Sequence, residues 1–118
     1  MRPANWLEGL VVNNEIKYWY QNNRLHREDG PAVIYPNGVS EWYSKGKLHR
    51  LDGPAIEYPD GTGFWMQYNK LHREDGPAVE RPDQCKTYYL EGVFVPVSSP
   101  EEFDEYMKFR KVRSVLES

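Results

Sequence analysis

Short alternations of apolar and polar residues run along the chain. Ala32-Val33-Ile34-Tyr35, Ala55-Ile56-Glu57-Tyr58 and Ala78-Val79-Glu80-Arg81 keep an apolar residue in second place and mostly a charged one in third. A period of two puts one side of a strand inward and the other outward. A second kind of β-type run is Tyr18-Trp19-Tyr20, with equivalents at Trp42-Tyr43, Trp65-Met66 and Tyr88-Tyr89. Each run is too short to stand alone, so the pattern predicts hairpins that share one sheet.

The runs recur at a fixed interval. Leu25-His26-Arg27-Glu28-Asp29-Gly30-Pro31-Ala32-Val33 returns as Leu48-His49-Arg50-Leu51-Asp52-Gly53-Pro54-Ala55-Ile56, and again as Leu71-His72-Arg73-Glu74-Asp75-Gly76-Pro77-Ala78-Val79. The step from His26 to His49 to His72 is 23 residues each time. A constant period of this size predicts a stacked architecture.

Turn residues keep the same register. Asn23, Gly46, Asn69 and Gly92 share one slot, and Asn and Gly are the residues that tolerate positive φ. Pro36-Asn37-Gly38, Pro59-Asp60-Gly61 and Pro82-Asp83-Gln84 mark a second turn, looser at Gln84 where the Gly is missing. Large Trp residues alternate along the sheet with small Ala32 and Ala55 and with Val33 and Ile56, so the two sizes interleave.

The ends depart from the pattern. Trp6, Leu7, Leu10, Val11 and Val12 read as an irregular half-unit that starts the sheet. The last unit decays into Val93-Phe94-Val95-Pro96-Val97. Ser99-Pro100-Glu101-Glu102 is a capping box, and acids lead while Lys108, Arg110, Lys111 and Arg113 trail, as a helix dipole favours. Phe103, Tyr106, Met107, Phe109 and Val112 are the expected packing face. The expected fold is one domain: an all-β repeat of stacked antiparallel β-hairpins with one C-terminal capping α-helix. Its parts are 1–13 as a cap, full units at 14–36, 37–59 and 60–82, a partial unit at 83–97, and a helix at 99–115.

Composition excludes classes rather than selecting one. The 118 residues include 4 Trp, 9 Tyr and 4 Phe, enough area for a modest core despite a mean hydropathy of −0.83. Net charge is −3, which argues against nucleic acid bound by bulk attraction. No apolar run approaches a membrane span of about 18 residues. Met1–Leu10 does not read as a secretory signal. One cysteine, Cys85, excludes an internal disulfide and a cysteine zinc site, and its slot (Ile16, Val39, Thr62) predicts a semi-buried packing residue. A soluble cytoplasmic protein is expected.

Tyr-Pro-Asp-Gly, an aromatic pair, a Gly-Lys turn, then Leu-His and a Gly together resemble the MORN repeat (membrane occupation and recognition nexus). The resemblance spans roughly residues 14–95 and is plainest from Gly53 to Lys70. It implies successive β-hairpins in a twisted sheet, and a scaffold or partner-binding role. Here Arg-Glu-Asp precedes Gly-Pro-Ala, where a typical unit has a Gly soon after the His. This variant resembles repeats in uncharacterised proteins of large bacteriophages and giant viruses, which implies a viral inhibitor of a host protein, for instance a bacterial defence component.

Catalysis finds little support in the residues. His26, His49 and His72 lie about 10 Å apart, two strand spacings, and cannot share a metal ion. Each is expected to hydrogen-bond within its own turn. Asp29, Asp52 and Asp75, ahead of Gly30, Gly53 and Gly76, are expected to fix that turn. Cys85 has no His in its own unit to activate it, and Gly61-Thr62-Gly63 is not a phosphate loop. Lys108 to Arg113 reads as a helix end rather than a lipid contact. No metal, no cofactor and no catalytic residue are expected.

Binding is the remaining class. Arg27, Arg50, Arg73, Tyr20, Tyr43, Trp42 and Trp65 are the candidate contact residues for a protein partner, being of the types that dominate interfaces. A homodimer through an end hairpin or an aromatic face is a second expectation. The alternative function is a sponge for a nucleotide or other small anion, using the Arg and His rows with bases stacked on aromatics.

Overall fold

Five two-residue turns with both central residues left-handed set the geometry: Asn14-Glu15, Asn22-Asn23, Lys45-Gly46, Tyr68-Asn69 and Glu91-Gly92. Such turns match the twist of the strands they join. The Asn/Gly slot behaves as expected. The position before it is left-handed too, although Lys45, Tyr68 and Glu91 occupy it. The structure is a computed structural model that describes residues 2–83 and 85–117, with side chains as far as Lys111. The expected looser turn at Gln84, and the side chains of Val112 and Arg113, lie outside the described residues.

The strands are β1 (Gly9–Asn13), β2 (Ile16–Gln21), β3 (Arg24–Leu25), β4 (Val33–Ile34), β5 (Ser40–Glu41), β6 (Tyr43–Ser44) and β7 (Lys47–Leu48). They continue as β8 (Ile56–Glu57), β9 (Gly63–Phe64), β10 (Met66–Gln67), β11 (Lys70–Leu71), β12 (Val79–Glu80), β13 (Lys86–Leu90) and β14 (Val93–Val95). One antiparallel sheet runs β1-β2-β4-β5-β8-β9-β12-β13-β14, with β3 also on β2. The hairpins β6-β7 and β10-β11 lie off this path. Successive hairpin arms are tied by backbone bonds such as Gly46 N–H to Leu25 O (2.8 Å) and Arg50 N–H to Met66 O (3.1 Å).

Trp42 and Trp65 mark the points where the chain leaves one strand row for the other, and Trp19 holds the equivalent place inside the continuous β2. Trp42 separates β5 from β6, its N–H donating to Ala55 O (2.7 Å) and its carbonyl accepting from His49 N–H (3.0 Å). Trp19 and Trp65 do the same with Ala32 and His26, and with Ala78 and His72. Ala32, Ala55 and Ala78 are fully buried there. The Pro turns close as expected, Gly38 N–H reaching Tyr35 O (3.0 Å) and Gly61 N–H reaching Tyr58 O (3.1 Å).

The body measures 53 × 38 × 19 Å, with a radius of gyration of 17.3 Å. A compact chain of this length would have about 13–14 Å. Beside the main sheet, the other sheets among the described residues are the short hairpins β6-β7 and β10-β11, too small to cover a face of a slab this thin. Among the described residues, the cluster of buried apolar side chains lies at the C-terminal end, where Tyr88, Leu90 and Val95 meet Phe103 of α1 (Pro100–Glu117), with Val97 and Met107 beside them.

The helix start matches its sequence, with Glu102 N–H on the Ser99 hydroxyl (3.1 Å). The Glu102 carboxylate turns instead to the N–H and hydroxyl of Ser98 (3.3 Å each). Three expectations need correcting. Tyr106 and Phe109 are exposed, because among the described side chains the helix meets the end of the sheet along the Phe103–Met107 line. The helix also continues to Glu117 and has no basic residue in its last turn, so Lys108, Arg110 and Lys111 sit mid-helix. Cys85 is exposed rather than semi-buried, two residues past Asp83, whose Oδ1 accepts its N–H (3.0 Å). No helix among the described residues is long and apolar enough to cross a membrane.

Candidate functional site

The row of arginines lies on the row of tryptophans. The guanidinium carbon of Arg27 stands 4.0 Å from the ring centroid of Trp19, Arg50 stands 3.9 Å from Trp42, and Arg73 stands 3.8 Å from Trp65. Arginine suits this place because a planar, weakly hydrated cation stacks on an indole and still projects a fork of donors. Nε donates to the Asp two residues on: Asp29 at 3.0 Å, Asp52 at 3.1 Å and Asp75 at 2.8 Å. Nη1 donates to the carbonyls of Pro31, Pro54 and Pro77 at 3.1–3.2 Å. In the second and third copies Nη1 also meets Glu57 (2.6 Å) and Glu80 (2.7 Å). Ile34 holds that slot in the first copy, so Arg27 lacks the second carboxylate.

The glycines complete the clamp. A β-carbon at Gly30, Gly53 or Gly76 would stand 2.6–2.8 Å from the guanidinium carbon. These glycines do not carry positive φ; they are needed for space. Each guanidinium is thus held between an indole and a bare backbone, with its charge matched on the spot. The indole faces of Trp19, Trp42 and Trp65 are covered by the chain's own arginines.

The histidines do not bond within their own turns, as their spacing had suggested. Nδ1 of His26 accepts the N–H of Lys45 (2.9 Å), His49 that of Tyr68 (3.3 Å) and His72 that of Glu91 (2.9 Å). Each reaches 19 residues ahead to the next hairpin tip. With Nδ1 accepting, Nε2 is the nitrogen left to donate. That nitrogen faces Glu28 at 3.5 Å in His26 and Glu74 at 3.4 Å in His72, and in His26 it is buried beyond hydrogen-bond geometry.

The middle copy differs. Leu51 stands where Glu28 and Glu74 stand, and is 70% exposed. Tyr68 stands where Lys45 and Glu91 stand, is 59% exposed, and stacks on the His49 ring at 4.1 Å. Burial without a facing carboxylate holds the His49 pKa below its ordinary value. Leu51, His49, Trp42 and Tyr43 line a groove between successive turns.

Tyr20 and Tyr43 are half-buried. The Tyr43 hydroxyl donates to Glu41 Oε1 (3.3 Å), which also accepts from Tyr35 (3.1 Å). Burial first, and then the Glu41 charge, push the Tyr43 pKa up to about 12. Among the described residues, no group of three or more His, Cys, Asp or Glu gathers where a metal ion would sit. Sequence reasoning missed Glu57 and Glu80 as arginine partners, though their shared slot carried the signal. It also missed Leu51 and Tyr68, visible only as breaks in a charged pattern. Compared with known proteins, the chain matches no family, no curated protein and no solved structure.

Proposed function

We propose that the chain is a non-catalytic protein-binding module, a MORN-like stack of β-hairpins. The contact surface centres on Leu51 and Tyr68. The observation that carries this is the exchange of charge for apolar area in the middle copy, beside a groove with aromatic walls. Burial of such residues at the centre of a contact, ringed by the charged side chains of neighbouring copies, is how interface anchors are arranged. Arg27, Arg50 and Trp42 line that groove and belong to the contact surface, while Arg73 and Trp65 form the same stack in the next copy. The anion-sponge alternative is weaker, because Nε and Nη1 of each arginine are engaged within its own copy. The resemblance to phage and giant-virus repeats makes a host protein in a cytoplasmic setting the partner to seek first.

The test is affinity capture from a bacterial lysate with tagged wild type and with Leu51→Glu/Tyr68→Lys. Both changes install residue types that neighbouring copies already carry in those slots. One stoichiometric protein held by the wild type and lost by the variant supports the reading. Equal capture by both moves the surface elsewhere. A thermal-shift rise with nucleotides, abolished by Arg50→Glu/Arg73→Glu, would return the sponge.

A further inference from the structure

The two ends of the sheet are finished differently. At the C-terminal end the edge strand is β14, three residues long and followed by Pro96, and α1 packs over Val95. Short length, a proline and a covering helix are the usual protections of an edge. At the N-terminal end the edge strand is β1, Gly9-Leu10-Val11-Val12-Asn13. It pairs with β2 through all five residues and, among the described residues, has no strand on its other side. It holds no charge and no proline. Leu10 is 52% and Val12 58% exposed. The residues before it leave the edge open, because they turn toward the β2-β3 tip. There Leu7 N–H bonds Asn23 Oδ1 (3.0 Å), and Glu8 takes the Asn22 N–H (2.8 Å).

We propose that β1 pairs with β1 of a second copy, antiparallel across a two-fold axis at Val11, and so continues the sheet through both molecules. The strand fits itself in that register. Leu10 falls opposite Val12 of the partner copy, Val11 opposite Val11, and Gly9 opposite Asn13. Opposed residues share a face, so the two Leu10–Val12 pairs form one apolar patch. Leu10 already faces Trp19 across β2, which places that patch on the side of the Arg27–Trp19 stack. No like charges meet within the strand, and the open main-chain groups find the partners that every interior strand has. The inference does not depend on the protein-binding proposal, whose residues Leu51 and Tyr68 lie outside β1.

The test is sedimentation of the full chain over a concentration series reaching the millimolar range. The wild type is expected to shift from monomer to dimer. Leu10→Lys/Val12→Lys and Leu10→Glu/Val12→Glu are each expected to stay monomeric, with melting curves that show them folded. Mixed in equal amounts, the two variants are expected to dimerise again, because the register sets each Lys opposite a Glu. A wild type that is monomeric throughout overturns the proposal. So does a folded Lys variant that dimerises like the wild type, or a mixture that stays monomeric.

Discussion

A β-carbon at Gly53 would stand 2.6 Å from the guanidinium carbon of Arg50. The glycine and the arginine are therefore one device, and Trp42 on the far side is its third part. Gly53→Ala must push Arg50 off the indole or bend the turn. The expected loss is about 1–3 kcal/mol, the usual cost of overfilling a packed site. Urea unfolding checks it, in wild type and in an Arg50→Ala background. With the guanidinium gone the alanine has room, so its penalty should largely vanish. An equal penalty in both backgrounds would remove the steric explanation.

Gly46 invites the opposite change. Asn69 and Asn23 occupy its slot in other copies, with φ of 69° and 64°, and their side chains accept the N–H of Leu48 and Leu7. The nearest atoms to a β-carbon at Gly46 lie on the Arg24 stem at 3.8 Å, ordinary contact distance. Gly46→Asn should offer the same bond to Leu25 and raise stability by roughly 0.5–1 kcal/mol. A lower melting temperature would mean that the Arg24 stem does not yield.

Acid should weaken the tie at His49. Burial depresses its folded pKa below the ordinary 6.5, so the unfolded chain holds the proton more tightly. Stability from this group is full above the unfolded value and is lost as pH falls toward the folded one. Protonation also turns Nδ1 from acceptor to donor, against the Tyr68 N–H. The melting temperature should drop more steeply between about pH 8 and pH 5 in wild type than in His49→Gln. Parallel slopes would show that other groups carry the acid response.

Phe103 is the helix's anchor, 4.7 Å from Tyr88 and fully buried. Phe103→Ala should cost about 3–5 kcal/mol and loosen the helix first, seen as a loss of helical circular dichroism before the tryptophan signal changes. One joint loss of both signals would mean that helix and sheet fold as one unit.

The turns, the small Ala slots and the helix cap were legible because each is decided within a few residues. Asn69 needs only its own backbone to reveal a left-handed turn, and Ser99 only Glu102 to reveal a cap. The partner of His26 was not legible, since Lys45 is a neighbour only after two hairpins are laid side by side. Arg50 misled for a related reason. Its charge type suggested an exposed row, while the Trp42 ring and the bare Gly53 backbone that enclose it come from opposite sides of the β6-β7 hairpin. Periodicity shows which residues are equivalent but not what each one meets. Tyr106 and Phe109 show the same gap, for an apolar helix position is buried only where something lies opposite.

The side-chain contacts of Arg27, Arg50 and Arg73 are short in sequence. Arg50 meets Asp52, Pro54 and Glu57, the last only seven residues away, whereas the His49 bond spans 19. Loops of this first size close in about 10–100 ns in an unfolded chain, before any sheet exists to stabilise them. The clamp can therefore form early and present a ready-made corner to which the next hairpin adds. Arg50→Ala is then expected to act mainly on the rate of folding, and His49→Gln mainly on the rate of unfolding, in stopped-flow measurements across urea.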